Sequence, residues 1–152
     1  MIPISDFQKY VENEFDFLVE NYGFKMKKVL SRFITDLERD SEFFYFIVEY
    51  ASQNVIIEVT YSGNNGRNEA QIFINQRHSS HLVFDFRSYF EEFYPTIGKP
   101  LTCRIISSDD HDLTDKLKQL SNLLKEYAKP IISFDKRIFS RFLKNDRNPD
   151  AF

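Results

Sequence analysis

The sequence predicts an α+β domain, with an N-terminal helix, an antiparallel β-meander of three to five strands, and C-terminal helices packed on the sheet. Apolar residues near both ends of the chain recur every three or four positions, as they do on one face of a helix. In the middle of the chain, apolar residues recur at every second position, as they do on a strand with a buried face. Helices before and after a run of strands are typical of the α+β class.

A first helix is predicted from Ser5 to about Tyr22. Ser5 or Asp6 is placed to cap its free amide groups, and Gly23 supplies the left-handed residue that ends a helix. The apolar face of this helix is formed by residues at intervals of three and four, namely Phe7, Val11, Phe15, Leu18 and Tyr22.

Residues 41–63, SEFFYFIVEYASQNVIIEVTYSG, predict two antiparallel strands joined by a turn centred on Ser52 and Gln53. Side chains on one side of this pair are all apolar, so this side is predicted to face the core. The opposite side is mixed, and it is either half exposed, covered by a helix or a contact site. The predicted core pairs are Tyr50 with Val55, Val48 with Ile57, Phe46 with Val59 and Phe44 with Tyr61. The opposite side carries Phe43, Tyr45, Ile47 and Glu49 against Ile56, Glu58 and Thr60.

Two further strands are predicted beside this hairpin. After a turn within SGNNGRN (residues 62–68), Ala70, Ile72 and Ile74 alternate with other residues from about Glu69 to Arg77. Upstream, FKMKKVLSRFITDLE (residues 24–38) fits both the strand period and the helix period, and we favour a strand that begins at Phe24.

Helices are predicted to follow the strands. A short helix is capped by Asp85 and stopped by Pro95, and a longer one follows the cluster Asp109–Asp112, with Lys125 and Lys129 near its end. The short helix carries Phe86, Tyr89, Phe90 and Phe93, and the longer one Leu113, Leu117, Leu120, Leu124 and Tyr127. A last amphipathic helix after Pro130 carries Phe134, Ile138, Phe139 and Phe142. We expect one domain over residues 1–144 and a flexible tail over 145–152.

The composition limits the classes of function. Since 17 Phe and 8 Tyr occur among 152 residues, aromatic rings are expected to dominate the core. The net charge of −3 gives no positive field for a phosphate backbone, so no nucleic-acid partner is expected. A single cysteine excludes an internal disulfide, and Cys103 is expected to be a small buried residue of a strand in KPLTCRIISS (residues 99–108). Without a signal-peptide pattern or a membrane-length apolar run, the chain is expected to be cytoplasmic, without membrane contact.

Two clusters carry candidate chemistry. Asp109, Asp110, His111 and Asp112 offer carboxylates and an imidazole for a divalent ion or for acid–base catalysis. We favour a simpler interpretation, in which the acids satisfy the free amides at a helix start and meet the positive end of its dipole. His78 and His81 have a spacing that suits one metal only on a helix, whereas Ser79 and Ser80 between them predict a loop. No metal or cofactor is therefore expected.

Candidate partner-binding residues come from tyrosines and acids that lie close together. Tyr45 belongs to the mixed side of the hairpin, together with Phe43, Ile47 and Phe73. Tyrosines with neighbouring acids are common at protein interfaces. The residues predicted to bind a partner are Tyr45, Glu91, Glu92, Tyr94, Asp109, Asp110 and Asp112.

The order of elements resembles a known class of proteins. FLVENYGFK closes the first helix, FIVEYASQNVIIEV forms the hairpin and a leucine-striped helix follows late in the chain. In this order they look like small bacterial immunity proteins encoded beside polymorphic toxins. The resemblance implies a cytoplasmic protein, not an enzyme, that binds one cognate toxin domain and blocks its active site. It carries over no individual functional residue.

Two alternatives stay open. One is a small metal-binding or ligand-binding enzyme that uses His78 and His81, or the cluster Asp109–Asp112. The other is a homodimer instead of a monomer, formed through the edge of the hairpin.

Overall fold

The computed structural model describes residues 2–38, 41–65, 67–78, 83–98, 101–105 and 110–145. It has an N-terminal helix, a six-stranded antiparallel sheet and C-terminal helices, so the predicted α+β class is confirmed. The elements are α1 (Ile4–Tyr22), β1 (Lys25–Asp36), β2 (Ser41–Ala51), β3 (Val55–Asn64), β4 (Arg67–Gln76), β5 (Val83–Asp85), α2 (Phe86–Phe93), α3 (Pro95–Gly98), β6 (Arg104–Ile105), α4 (Asp110–Tyr127), α5 (Lys129–Ile132) and α6 (Lys136–Asn145).

The strands form one antiparallel sheet in the order β1–β2–β3–β4–β5, and β6 also pairs with β4. The two short strands lie on the same side of β4, where β5 pairs with residues 73–75 and β6 with residues 68–69. β1 is therefore the edge strand at the opposite side of the sheet.

The first helix begins one residue earlier than predicted, and its predicted cap is wrong. Pro3 occupies the cap position without a side-chain hydrogen bond, and its carbonyl oxygen accepts from the amides of Asp6 and Phe7. The predicted end is confirmed. Gly23 has φ +73°, and the Phe24 amide donates to the Leu18 carbonyl oxygen at 3.0 Å, which satisfies a carbonyl group of the last turn.

The β2–β3 hairpin has the predicted faces but not the predicted partners. Tyr50 pairs with Ile57, Val48 with Val59 and Phe46 with Tyr61, so each β2 residue meets a β3 residue two positions further on than expected. The loop is centred on Gln53 and Asn54, because the Ser52 amide donates to the Val55 carbonyl oxygen at 2.9 Å. A shift of two residues preserves the face of every side chain.

The ambiguous segment before this hairpin is a strand, as favoured. β1 continues to Asp36 and pairs with β2 from Lys25 opposite Ala51 to Asp36 opposite Ser41. The register shifts between Met26 and Lys28, which indicates a bulge at Lys27. β4 confirms the third strand of the meander. Of the strand expected around Cys103, the described residues show Arg104 and Ile105 as β6, and Cys103 itself precedes this strand.

The core lies between one face of the sheet and the helices. The ring of Phe7 in α1 lies 5.8 Å from that of Phe46 and 6.0 Å from that of Tyr61. The Ser121 hydroxyl of α4 donates to the Glu14 carbonyl oxygen at 2.6 Å and so joins the two long helices. The predicted leucine stripe is buried in this core, at Leu113, Leu117, Leu120 and Leu124.

The later helices follow the predicted pattern with small corrections. Asp85 caps α2 as expected, because its Oδ1 accepts from the Ser88 amide at 2.7 Å. Lys125 lies in the last turn of α4, but Lys129 begins α5. In the last part of the chain, Phe139 of α6 is buried and Phe134 precedes that helix. The side chain of Phe142 and the predicted tail beyond Asn145 lie outside the part of the chain that the structure describes. No helix in the described parts of the chain is long and apolar enough to cross a membrane.

Candidate protein-binding surface

The sheet has a second face, opposite to the core, which we call the open face. The buried apolar side chains of the described helices all belong to the core cluster, and the open-face residues do not. Ile47 illustrates the difference, because it is only 8% exposed and yet lies outside that cluster. The described helices therefore cover one side of the sheet only. The open face is formed by Lys28, Leu30, Arg32, Ile34, Phe43, Tyr45, Ile47, Glu49, Ile56, Glu58, Thr60, Gln71, Phe73 and Asn75.

Apolar side chains form a continuous band across β1 and β2 on the open face. Leu30 pairs with Ile47, and Ile34 pairs with Phe43. The ring of Phe43 stacks beside that of Tyr45, with centroids 6.3 Å apart and an angle of 16° between the planes. Ile34 is 55% exposed and Phe43 is 37% exposed, so the outer end of this band is accessible to a partner.

Two carboxylates lie in the middle of the open face. Glu49 of β2 is directly opposite Glu58 of β3, and both side chains are half-buried. Burial raises the pKa of the Glu58 carboxyl group, and the facing Glu49 raises it further, whereas Lys28 lowers it. Lys28 is exposed and pairs with Glu49 from the edge strand. The centre of the open face thus places two carboxylates beside one lysine.

Tyr45 is the predicted partner-binding residue that lies on the open face. It is half-buried and stands between Arg32 of β1 and Ser62 of β3 in the register of the sheet. Burial raises the pKa of its hydroxyl group, and the charge of Glu58 raises it further. The hydroxyl group therefore stays protonated at neutral pH and can donate a hydrogen bond to a partner.

The acidic stretch at the end of α2 lies on the helical side of the molecule. Glu91 forms an ion pair with Arg87 at 3.1 Å, and Glu92 forms one with Arg141 of α6 at 2.6 Å. The ring of Tyr94 packs 5.1 Å from that of Tyr127, against the core. The structure therefore does not bring these three predicted residues together with Tyr45.

Two of the remaining predicted acids lie at the start of α4. Asp110 is the first residue of the helix and Asp112 is half-buried, whereas Asp109 lies outside the described residues. His111 lies 3.5 Å from Asp115, and both side chains are largely exposed. A shallow groove between this helix and β6 is lined by Thr102, Arg104, Ile105, Asp112, Asp115, Lys116 and Gln119.

The histidine pair can be followed at one residue only. His78 is exposed in the turn after β4, where its φ is +70°, and His81 lies outside the described part of the chain. Within the ranges that the structure describes, no three His, Cys, Asp or Glu side chains converge as ligands for a metal ion.

Cys103 is half-buried beside β4, where its carbonyl oxygen accepts from the Ala70 amide at 2.8 Å. Burial raises the pKa of its thiol group to about 11, and the nearby Asp85 and Glu69 act in the same direction. A thiol with so high a pKa is a poor nucleophile at neutral pH.

The alternation along the sequence predicts Phe43, Tyr45, Ile47 and Phe73 on one side of the sheet, and the structure places them on the open face. The sequence alone does not reveal the contribution of β1, because that segment also fits the helix period. It does not reveal the facing carboxylates either, since the predicted register pairs Glu49 with Ile56. A loop centred one residue later would have found them.

Comparisons of this chain with protein-family models, with curated proteins and with solved structures return no match.

Proposed function

We propose that this protein is a non-enzymatic protein-binding module of the immunity type, which binds a cognate bacterial toxin domain through the open face and neutralises it in the cytoplasm. The observation that carries this proposal is the open face itself. It combines accessible apolar side chains with two half-buried carboxylates, and no described helix packs on it.

The aromatic residues of the open face suit protein recognition. Tyr45 and Phe43 present large, stiff side chains that lose little conformational freedom when a partner covers them. Such anchors supply most of the binding free energy at a typical interface, while the surrounding contacts exclude water. The extended area of this face favours a protein surface over a small molecule, which prefers a concave site.

The charge of the open face indicates the chemistry of the partner. Glu49 and Glu58 lose further hydration when a partner covers them, so their charges need a cationic side chain opposite. A lysine or arginine of the partner would meet this need, and the net charge of −3 favours encounter with a basic surface. The immunity role itself rests on the resemblance in element order, in which neutralisation requires tight binding and no chemistry by the inhibitor.

Affinity capture from the native cells tests the proposal. The tagged protein is expected to retain one abundant protein at equal stoichiometry, at low and at high salt. The double variant Tyr45→Ala/Phe73→Ala should lose this protein while it keeps the circular dichroism spectrum of the parent. The matched control is Val19→Ala, which removes an apolar side chain that is 42% exposed on the helical side.

Expression of the captured protein in a bacterial host then separates binding from immunity. The immunity role requires that the captured protein stops growth when it is expressed alone. It also requires that co-expression of the parent protein restores growth. A captured protein that is not toxic would refute the immunity role, and the protein would then be a binding module with another purpose. Turnover of a substrate by the purified parent alone would refute the non-enzymatic class.

A further inference from the structure

We propose that two copies of this chain associate by antiparallel pairing of their β1 strands. The inference concerns a second surface and does not depend on the proposed toxin binding. β1 is an edge strand of twelve residues that pairs with β2 along one side only. Its other side pairs with no strand in the described parts of the chain, so its backbone groups there are available to a further strand.

Exposed apolar side chains concentrate at this edge. Within the described ranges, six large apolar side chains are exposed, and five of them belong to the hairpin formed by β1 and β2. Phe33 points to the helical side and is 59% exposed, and Leu37 at the tip is 89% exposed. Exposed apolar side chains are often covered by association, and Val29 and Phe33 lie on the free strand itself, on the side opposite to the open face. The five residues are Val29, Phe33, Ile34, Leu37 and Phe43.

The edge lacks most of the devices that prevent pairing between strands. Its one bulge lies at Lys27, near the start of the strand. From Lys28 to Asp36 the strand contains no proline, no glycine and no shift of register. Native edge strands that avoid association are usually short, bulged, interrupted by proline or lined with charges, above all lysine. The lysines of β1 are confined to its first four residues, and Arg32 is the one cation between Val29 and Asp36, so this stretch is suited to pairing.

The distribution of charge selects a second copy as the occupant of this edge. Lys25, Lys27 and Lys28 lie at the beginning of β1, and Asp36 and Glu38 lie at its end. In an antiparallel pair of identical strands, the beginning of each strand lies beside the end of the other. Each basic segment then meets the acidic segment of the other copy, which gives two such contacts in the dimer, whereas a parallel pair would place lysines beside lysines. The charges therefore specify a two-fold symmetric arrangement.

Symmetric pairing would extend the sheet without covering the open face. In an antiparallel pair, facing residues lie on the same side of the sheet. A pair centred on Ser31 places Val29 of one copy opposite Phe33 of the other on the helical side, and Leu30 opposite Arg32 on the open face. The open faces of both copies then form one surface, with a binding site on each copy.

Light scattering with a charge-exchange design tests the proposal. The parent is expected to have twice the chain mass of 18.2 kDa. The variant Lys25→Glu/Lys27→Glu carries acids at both ends of β1, and Asp36→Lys/Glu38→Lys carries bases at both ends, so each alone should be monomeric. An equimolar mixture restores opposite charges at both ends and should return to the mass of two chains. The matched control is Lys9→Glu/Lys118→Glu, which makes the same charge change at exposed positions of α1 and α4.

Four results would overturn the proposal. The first is a parent that remains monomeric at every concentration at which it is soluble. The second is a dimer that persists in both edge variants, since it would use another surface. The third is a mixture that stays monomeric although both variants keep the circular dichroism spectrum of the parent. The fourth is a dimer lost equally in the control, which would refute pairing through β1.

Discussion

Glu49 and Glu58 face each other across the β2–β3 pair, on the side of the sheet that the described helices leave open. Like charges directly opposite each other on a sheet destabilise it by up to about 1 kcal/mol. Burial adds to this cost because it weakens the hydration of both carboxylates. The free protein therefore carries a local electrostatic cost, which a cationic side chain of a partner would offset.

Glu58→Gln is expected to raise the free energy of unfolding at neutral pH by up to about 1 kcal/mol, because it removes this repulsion. The folded-state pKa of Glu58 lies above the ordinary value of 4.5, so the folded protein holds this proton more tightly than the unfolded chain does. The contribution of Glu58 to the free energy of unfolding is therefore fully present below the pKa that this carboxyl group has in the unfolded chain. It is lost as the pH rises through the pKa of the group in the folded protein.

Urea titrations of the parent and Glu58→Gln at about pH 4 and about pH 7 measure this difference. The variant should gain stability relative to the parent only at the higher pH. Glu20→Gln, which makes the same change at an exposed position of α1, is the control. An equal difference between parent and Glu58→Gln at both pH values would contradict the raised pKa.

Two neighbouring phenylalanines distinguish the core from the exposed edge. Phe46 is fully buried, and Phe33, whose ring lies 5.8 Å away, is 59% exposed. We expect Phe46→Ala to lower the free energy of unfolding by about 3 to 4 kcal/mol, since it leaves a cavity, and Leu117→Ala to do the same. Phe33→Ala should cost less than about 1 kcal/mol in the monomer. Denaturant titrations at low protein concentration compare them, and equal midpoints for Phe46→Ala and the parent would refute this placement.

Two buried tyrosines differ in their hydrogen bonds. The Tyr89 hydroxyl donates to the Tyr127 carbonyl oxygen at 2.7 Å, whereas the buried Tyr50 hydroxyl has no hydrogen-bond partner among the described residues. Tyr89→Phe is expected to cost about 1 kcal/mol, and Tyr50→Phe should be neutral or stabilising, because it removes a buried polar group without a partner. Thermal unfolding of both variants measures the contrast. A larger loss for Tyr50→Phe than for Tyr89→Phe would be incompatible with these environments.

Cys103 is expected to react slowly in the folded protein. Because its pKa is raised to about 11, the thiolate fraction at mildly alkaline pH is smaller than in the unfolded chain. Alkylation by iodoacetamide at about pH 8 should be at least about tenfold slower in the folded protein than in denaturant. Mass spectrometry of timed samples gives both rates. Equal rates would show that the thiol is accessible and has an ordinary pKa.

Much of the fold was determined by the sequence itself, because it depends on local periodicity and on single residues. The alternation of Phe46, Val48 and Tyr50 is enough to assign their side of the strand, and an error of two residues in register leaves that side unchanged. Asp85 and Gly23 fix helix ends through hydrogen bonds and backbone conformation within a few residues.

Other features were decided only by the tertiary structure. The same side-chain pattern on the second face of the hairpin fits a sheet covered by a helix and a sheet that is open. Which of the two occurs depends on where distant helices pack, and here the described helices all pack on the other face. The Glu49–Glu58 pair depends on the exact loop, and the length of β1 depends on its pairing with β2. The sequence therefore determined what each element is, and packing between distant segments decided which surfaces remain exposed.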